Sequence, residues 1–134
     1  MPHYRAVVTV LIVDDEPHIV DLVRVTLEDD RLCVLAAADG AAALATAEHE
    51  RPDLVLLDVN LPDMSGLEVC RRLRARAALA HARIVMLTAA AQQADVARGL
   101  AAGADLYLTK PFSPVRLLSL VEELLPGVVL WARP

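Results

Sequence analysis

The sequence predicts an α/β domain: a doubly wound (βα)5 three-layer sandwich with a parallel sheet in the order 2-1-3-4-5. Three observations carry this. Five short apolar runs alternate with five segments of helical periodicity, the pattern of a parallel sheet covered by helices on both faces. The runs around Leu54–Leu57 and Ile84–Leu87 are almost continuously apolar, as strands buried on both faces are. The chain has 134 residues, which suits one domain with a core of its own.

Each element has a local reason. Val7–Val13 reads as the first strand. The first helix, Pro17–Glu28, has proline in its first turn, with Ile19, Leu22, Val23 and Leu27 on one face. Leu32–Ala36 is the second strand, and Asp39 caps a second helix, Gly40–His49. Leu54–Leu57 is the third strand and Pro62–Gly66 a loop, after which Leu67, Cys70 and Leu73 line a third helix. Ile84–Leu87 is the fourth strand. The fourth helix, Gln92–Ala102, is the weakest element: Gly99 costs it about 1 kcal/mol relative to alanine, and its large apolar anchors are few. Leu106–Leu108 is the fifth strand and Val115–Leu125 the fifth helix, with Leu117, Leu118, Val121, Leu124 and Leu125 facing inward. Gly66 and Gly103 serve turns. Residues 1–126 thus form the domain, and residues 127–134 a tail containing Trp131; the chain reads either as a single domain acting by protein contact or as a piece of a longer chain, the tail then starting a linker to an output domain.

Composition bounds the function. Hydrophobic residues make up 56% of the chain, against disorder. The net charge of −5 argues against direct nucleic-acid binding, which needs a basic surface. Arg71, Arg72, Arg74, Arg76 and Arg83 read as a solvated helix face. Cys33 and Cys70 lack metal-ligand spacing and read as packing residues in a reducing cytoplasm. No apolar stretch approaches the roughly 18 residues of a membrane span, and no signal-peptide pattern opens the chain. The expectation is a cytoplasmic protein.

The ends of the strands carry the chemistry. Asp14 and Asp15 follow the first, Asp58 the third, Thr88 the fourth and Lys110 the fifth. In the 2-1-3-4-5 order, which is the flavodoxin-like one, the first and third strands are neighbours at the topological switch point, and ligands bind beyond the carboxyl ends of strands there. Two like charges ~4 Å apart repel by about 4 kcal/mol at an effective dielectric of 20. Such a site therefore protonates or takes a cation. An all-oxygen acidic site with open positions suits Mg²⁺, or Mn²⁺. Asp14, Asp15 and Asp58 are assigned to the metal, with the backbone carbonyl of Asn60. A carboxylate can also attack phosphorus, with Lys110 and Thr88 stabilising the transferred group.

Three segments carry a family resemblance: Leu11-Ile12-Val13-Asp14-Asp15-Glu16; Asp58 followed by Leu61-Pro62-Asp63-Met64-Ser65-Gly66; and Gly103-Ala104-Asp105-Leu106-Tyr107-Leu108-Thr109-Lys110-Pro111-Phe112. Together they resemble a response-regulator receiver domain of two-component signalling, like the chemotaxis regulators, from Val10 to about Leu125. The resemblance implies transfer of a phosphoryl group onto Asp58 from a histidine kinase or phosphotransfer protein, with Mg²⁺. It implies a switch in which Thr88 moves inward and Tyr107 follows, altering the surface of the fourth helix, fifth strand and fifth helix for a downstream effector protein. It also implies a cis peptide between Lys110 and Pro111. Phosphoryl lifetime is set in the family by positions occupied here by Asn60 and Ala90, and a moderate lifetime is expected. Asp105 is followed by Leu106, and the fifth helix offers Leu120 and Glu122, so the expectation is a monomer or a weak, phosphorylation-dependent dimer.

Other classes fit less well. A turnover phosphatase with an aspartyl intermediate places a second acid two residues after the nucleophile, where this chain has Asn60. A flavodoxin-like cofactor binder needs small residues and amides after the first strand, where this chain has acids. A phosphorylation-independent scaffold has no need of Asp58, Thr88 and Lys110 together.

Overall fold

A computed structural model describes residues 8–89 and 93–126. The elements are β1 (Val8–Val13), α1 (Pro17–Leu27), β2 (Leu32–Ala37), α2 (Gly40–Glu50), β3 (Leu54–Asp58), α3 (Gly66–Arg74), a 3-10 turn (Ala77–Leu79), β4 (Arg83–Ala89), α4 (Gln93–Ala101), β5 (Leu106–Lys110) and α5 (Pro114–Leu124). The five strands are parallel and ordered β2-β1-β3-β4-β5, as the alternating pattern predicts. Val7, Gln92, Ala90 and the tail with Trp131 lie outside the described residues.

Helix starts follow local chemistry. Asp39 accepts from Ala42 N at the head of α2, Ser65 from Leu67 N at α3, and Ser113 from Arg116 N at α5. Pro17 and Pro114 occupy first-turn positions, where the missing N–H costs nothing. The sheet divides two apolar layers. Leu11, Val13, Val55, Leu57, Ile84 and Met86 pack under α2 and α3. Val10, Ile12, Leu54, Leu56, Val85 and Leu87 pack under α1 and α5. Alternation along each strand sends successive side chains to opposite layers.

Several strands run further than their apolar stretches suggest. β3 includes Asp58, β4 runs from Arg83 to Ala89, and β5 reaches Lys110. The ladder continues through Asp58↔Leu87, Thr88↔Thr109 and Ala89↔Lys110, because backbone pairing is indifferent to the polarity of the side chain above it. Gly99, which costs α4 propensity, has a packing role: a Cβ there would sit 2.8 Å from Met86 Cγ, so glycine lets α4 lie close on β4.

One arginine departs from the solvated-face reading. Arg71 and Arg72 pair with Glu68, and Arg76 with Glu48, on the surface. Arg74 is instead mostly buried. It donates from Nε to Gly103 O at 2.7 Å, from Nη1 to Ala82 O at 2.5 Å, and from Nη2 to Asp105 Oδ2 at 2.7 Å. Asp105 also accepts from Ile84 N at 2.8 Å. The planar guanidinium fork fastens the end of α3 to the segments that precede β4 and β5. Gly103, whose carbonyl takes part, has φ +112°, a conformation open to glycine.

Arg74→Ala removes these donors and leaves Asp105 without its closest cationic partner. We expect it to lower the unfolding free energy by about 2–3 kcal/mol, and Arg72→Ala by less than about 0.5 kcal/mol, as measured by urea denaturation.

Candidate functional site

The crevice lies beyond the carboxyl ends of β1, β3 and β5. Register places it: Val13 pairs with Leu57, so the residues that follow, Asp14 and Asp58, emerge side by side. Asp14 is 1% exposed and Asp58 7%. Their backbones are held by neighbours, with Asp14 N donating to Ala37 O and Val59 N to Leu87 O. Asp14 Oδ1 accepts from Glu16 N at 3.0 Å, and Asp58 Oδ1 from Asn60 N at 3.0 Å.

Lys110 reaches in from the end of β5. Its Nζ lies 2.7 Å from Asp14 Oδ2, 3.2 Å from Asp58 Oδ2 and 3.3 Å from Glu16 Oε1. The contact with Asp58 is a hydrogen bond. Asp14 Oδ2 meets the Lys110 ammonium, and a carboxylate oxygen has a further lone pair with which to take a cation. Carboxylate oxygens of Asp14, Glu16 and Asp58 all lie within 4.8 Å of one another. The residues present therefore fit a hard divalent ion.

Glu16 is the member of this cluster that the sequence reading missed. The chain bends at Asp15, and the Glu16 N–H donates to Asp14 Oδ1 at 3.0 Å, which keeps the two acids together. Asp15, assigned to the metal from the sequence, is exposed and stands outside this three-acid cluster. His18 pairs with Glu16 at 3.3 Å on the surface.

Thr88 is buried at the end of β4, and its Oγ1 donates to Ala89 O at 2.9 Å. Tyr107, on the neighbouring β5, is 43% exposed. The Lys110–Pro111 peptide is cis. Met64 packs on the α2–α3 layer and Phe112 on the α1–α5 layer. A tight approach shapes the loop after Asp58: a Cβ on Gly66 would lie 2.1 Å from Asp58 O. Only glycine there lets α3 begin against the backbone of Asp58.

Electrostatics follow from burial and proximity. Burial pushes the Asp58 carboxyl above its ordinary range. The Asn60 N–H and the Lys110 charge oppose the rise, and the Asp14 charge adds to it. For Lys110, burial favours the neutral amine, but Asp14 and Asp58 outweigh it and the ammonium is held more firmly than usual. The stabilisation from Lys110 is thus present at neutral pH and lost only as pH rises through its raised value, above the ordinary 10.5.

Topology and site together define a doubly wound α/β domain with an acidic crevice served by one lysine. Residues 10–122 match the family described as response regulator receiver domain, and the chain belongs to that family. It is 46% identical over 116 residues to the alkaline phosphatase synthesis transcriptional regulatory protein PhoP of Bacillus subtilis, an alignment that covers 87% of this chain and 48% of that one. It is 42% identical over 113 residues to the DNA-binding response regulator MtrA of Mycolicibacterium smegmatis, covering 84% and 48%. The chain spans about half the length of these curated relatives. Among solved structures, the chemotaxis response regulator CheY4 of Vibrio cholerae superposes with a TM-score of 0.83 at 38% identity, covering 89% of this chain and 99% of that one. A response regulator of Chloroflexus aurantiacus gives 0.84 at 34% identity, covering 90% and 98%. This is a receiver domain of two-component signalling.

A raised carboxyl binds its proton more tightly in the folded chain than in the unfolded one. Ionising Asp58 therefore costs folded-state stability as pH rises above the unfolded value near 3.8. Asp58→Asn should melt a few degrees higher than the parent at pH 7. The difference should close below about pH 3, where the parent carboxyl is also neutral. Differential scanning calorimetry across that range checks both parts.

Proposed function

We propose that Asp58 is the phosphoacceptor, served by Lys110 and Thr88, and that Asp14, Asp15, Asp58 and the Asn60 backbone carbonyl hold Mg²⁺ (or Mn²⁺), with Glu16 as a further acid at the mouth. The observation that carries this is the convergence of Asp14, Asp58 and the Lys110 ammonium within 3.2 Å contacts at the switch point. Bound Mg²⁺ would supply charge neutralisation between the carboxylates and a phosphoryl oxygen.

In the transfer, a carboxylate oxygen of Asp58 attacks phosphorus. The O–P bond of the new acyl phosphate forms as the bond from phosphorus to the donor's nitrogen or oxygen breaks, and the donor leaves with that electron pair. Lys110 already faces Asp58 and can stabilise the growing charge on a phosphoryl oxygen. Among the described residues Thr88 Oγ1 donates to the next residue's carbonyl, and its hydroxyl can turn from there to the phosphoryl group. Tyr107, exposed here, then follows into the space Thr88 leaves. The phosphoryl group brings about two negative charges, enough to shift a bistable loop.

We take the donor to be a histidine kinase or phosphotransfer protein in the cytoplasm, and the recipient of the signal to be a downstream effector protein. No helix among the described residues is long and apolar enough to cross a membrane. Asp105 is occupied by Arg74, Arg83 and Ile84 N within its own chain, which favours a monomer or weak dimer over pairing through that residue. Ala90, the other position expected to tune phosphoryl lifetime, lies outside the described residues. Asn60 in the place of a second acid supports a signalling role over turnover.

The protein is incubated with acetyl phosphate and Mg²⁺, and its intact mass is followed. We expect one phosphate adduct, absent in Asp58→Asn, and formed about a hundred-fold more slowly in Lys110→Met. Thr88→Ala should still take up phosphate. An adduct that survives in Asp58→Asn would overturn the assignment, no adduct would indicate a scaffold, and continuous release of phosphate over many turnovers would indicate a phosphatase.

A further inference from the structure

The loop after Asp58 is suspended at two points. At its base, Asn60 and Ser65 form an antiparallel bridge, and Gly66 N donates to Val59 O at 2.8 Å. At its tip, Asp63 reaches across to a different βα unit: Oδ1 accepts from Gly40 N at 2.7 Å and Oδ2 from Ala41 N at 2.9 Å. Both carboxylate oxygens are thus used on consecutive N–H groups in the first turn of α2. The third, Ala42 N, is taken by Asp39 at 2.8 Å. Helix starts leave such donors free and favour negative charge, and here the charge comes from the loop that carries Asn60. Met64 closes the contact from the other side, since a Cβ on Gly40 would lie 2.4 Å from Met64 Cγ.

We propose that Asp63 is a positioning residue for the cation site: by anchoring the loop tip to α2 it fixes where the Asn60 backbone stands relative to Asp58. The inference rests on the reading above, in which the Asn60 carbonyl is a metal ligand. The bridge and the Asn60 N–H bond to Asp58 Oδ1 hold the start of the loop, and the Asp63 anchor holds its tip. Asp63 does not touch the reacting atoms. It acts through the backbone, as outer partners of a metal site do when they orient its ligands.

The test is Mg²⁺ affinity by isothermal titration calorimetry on the full chain, with folding of each variant checked by circular dichroism. Asp63→Ala should bind Mg²⁺ roughly ten-fold more weakly. Asp63→Asn, which keeps one acceptor oxygen, should fall between it and the parent. Asp39→Ala, which removes a bond to the same helix from outside the loop, should lower the melting temperature and leave Mg²⁺ affinity unchanged. The proposal is overturned if Asp63→Ala matches the parent in affinity, or if Asp39→Ala weakens binding as much. If Asp63→Ala does not fold, Asp63→Asn decides on the same criterion. Adduct formation from acetyl phosphate is followed in parallel. A parent that takes phosphate while the Asp63 variants bind Mg²⁺ normally sinks this inference alone. A parent that binds no Mg²⁺ and takes no phosphate sinks the reading beneath it as well.

Discussion

Parallel pairing of β1 with β3 forces two buried carboxylates, Asp14 and Asp58, to leave the sheet side by side. At such distances their repulsion is of the order of 4 kcal/mol at an effective dielectric of 20. In this state the compensation comes from the far edge of the sheet, where the Lys110 ammonium contacts Asp14, Asp58 and Glu16 together. That reach is possible because β4 pairs with β5 up to Ala89↔Lys110, which sets the lysine at the height of the crevice. The outer strands and their covering helices can thus be read as a frame that delivers one cation to two acids.

Much of this was legible in the residues. Acids, a hydroxyl and a lysine at the ends of apolar runs, with strand order following from alternation, are enough to bring Asp14, Asp58, Thr88 and Lys110 to one end of one sheet. Three features were not. Glu16 joins the cluster across a bend at Asp15, at a position that reads equally well as a helix cap. The anchoring by Asp63 joins residues from different βα units and has no local pattern. Arg74 sits among surface arginines with the same helical spacing, and only the packing of the loops before β4 and β5 makes it a clamp. In each case the missing information is where a long or charged side chain finds its partner across the fold, which periodicity does not encode.

The two ends of the sheet are organised differently. At the amino end, Arg74 and Asp105 tie α3, β4 and β5 through paired, partly buried charges. At the carboxyl end the charges are unevenly paired: three carboxylates share the Lys110 ammonium, and Thr88 Oγ1 donates to the adjacent residue's carbonyl. A rigid amino end beneath an unevenly paired carboxyl end suits a domain whose chemical event must shift loops without loosening the sheet.

The balance of charge in the crevice has a kinetic consequence. Three carboxylates face one ammonium, so the cation-free mouth presents excess negative charge to whatever diffuses toward it. An anion meets a repulsive field there, which lowers its encounter rate. A divalent cation meets the opposite: the same field draws it in, and once seated it would cancel the excess. The electrostatics of the crevice thus set an order of arrival, cation first and anion second.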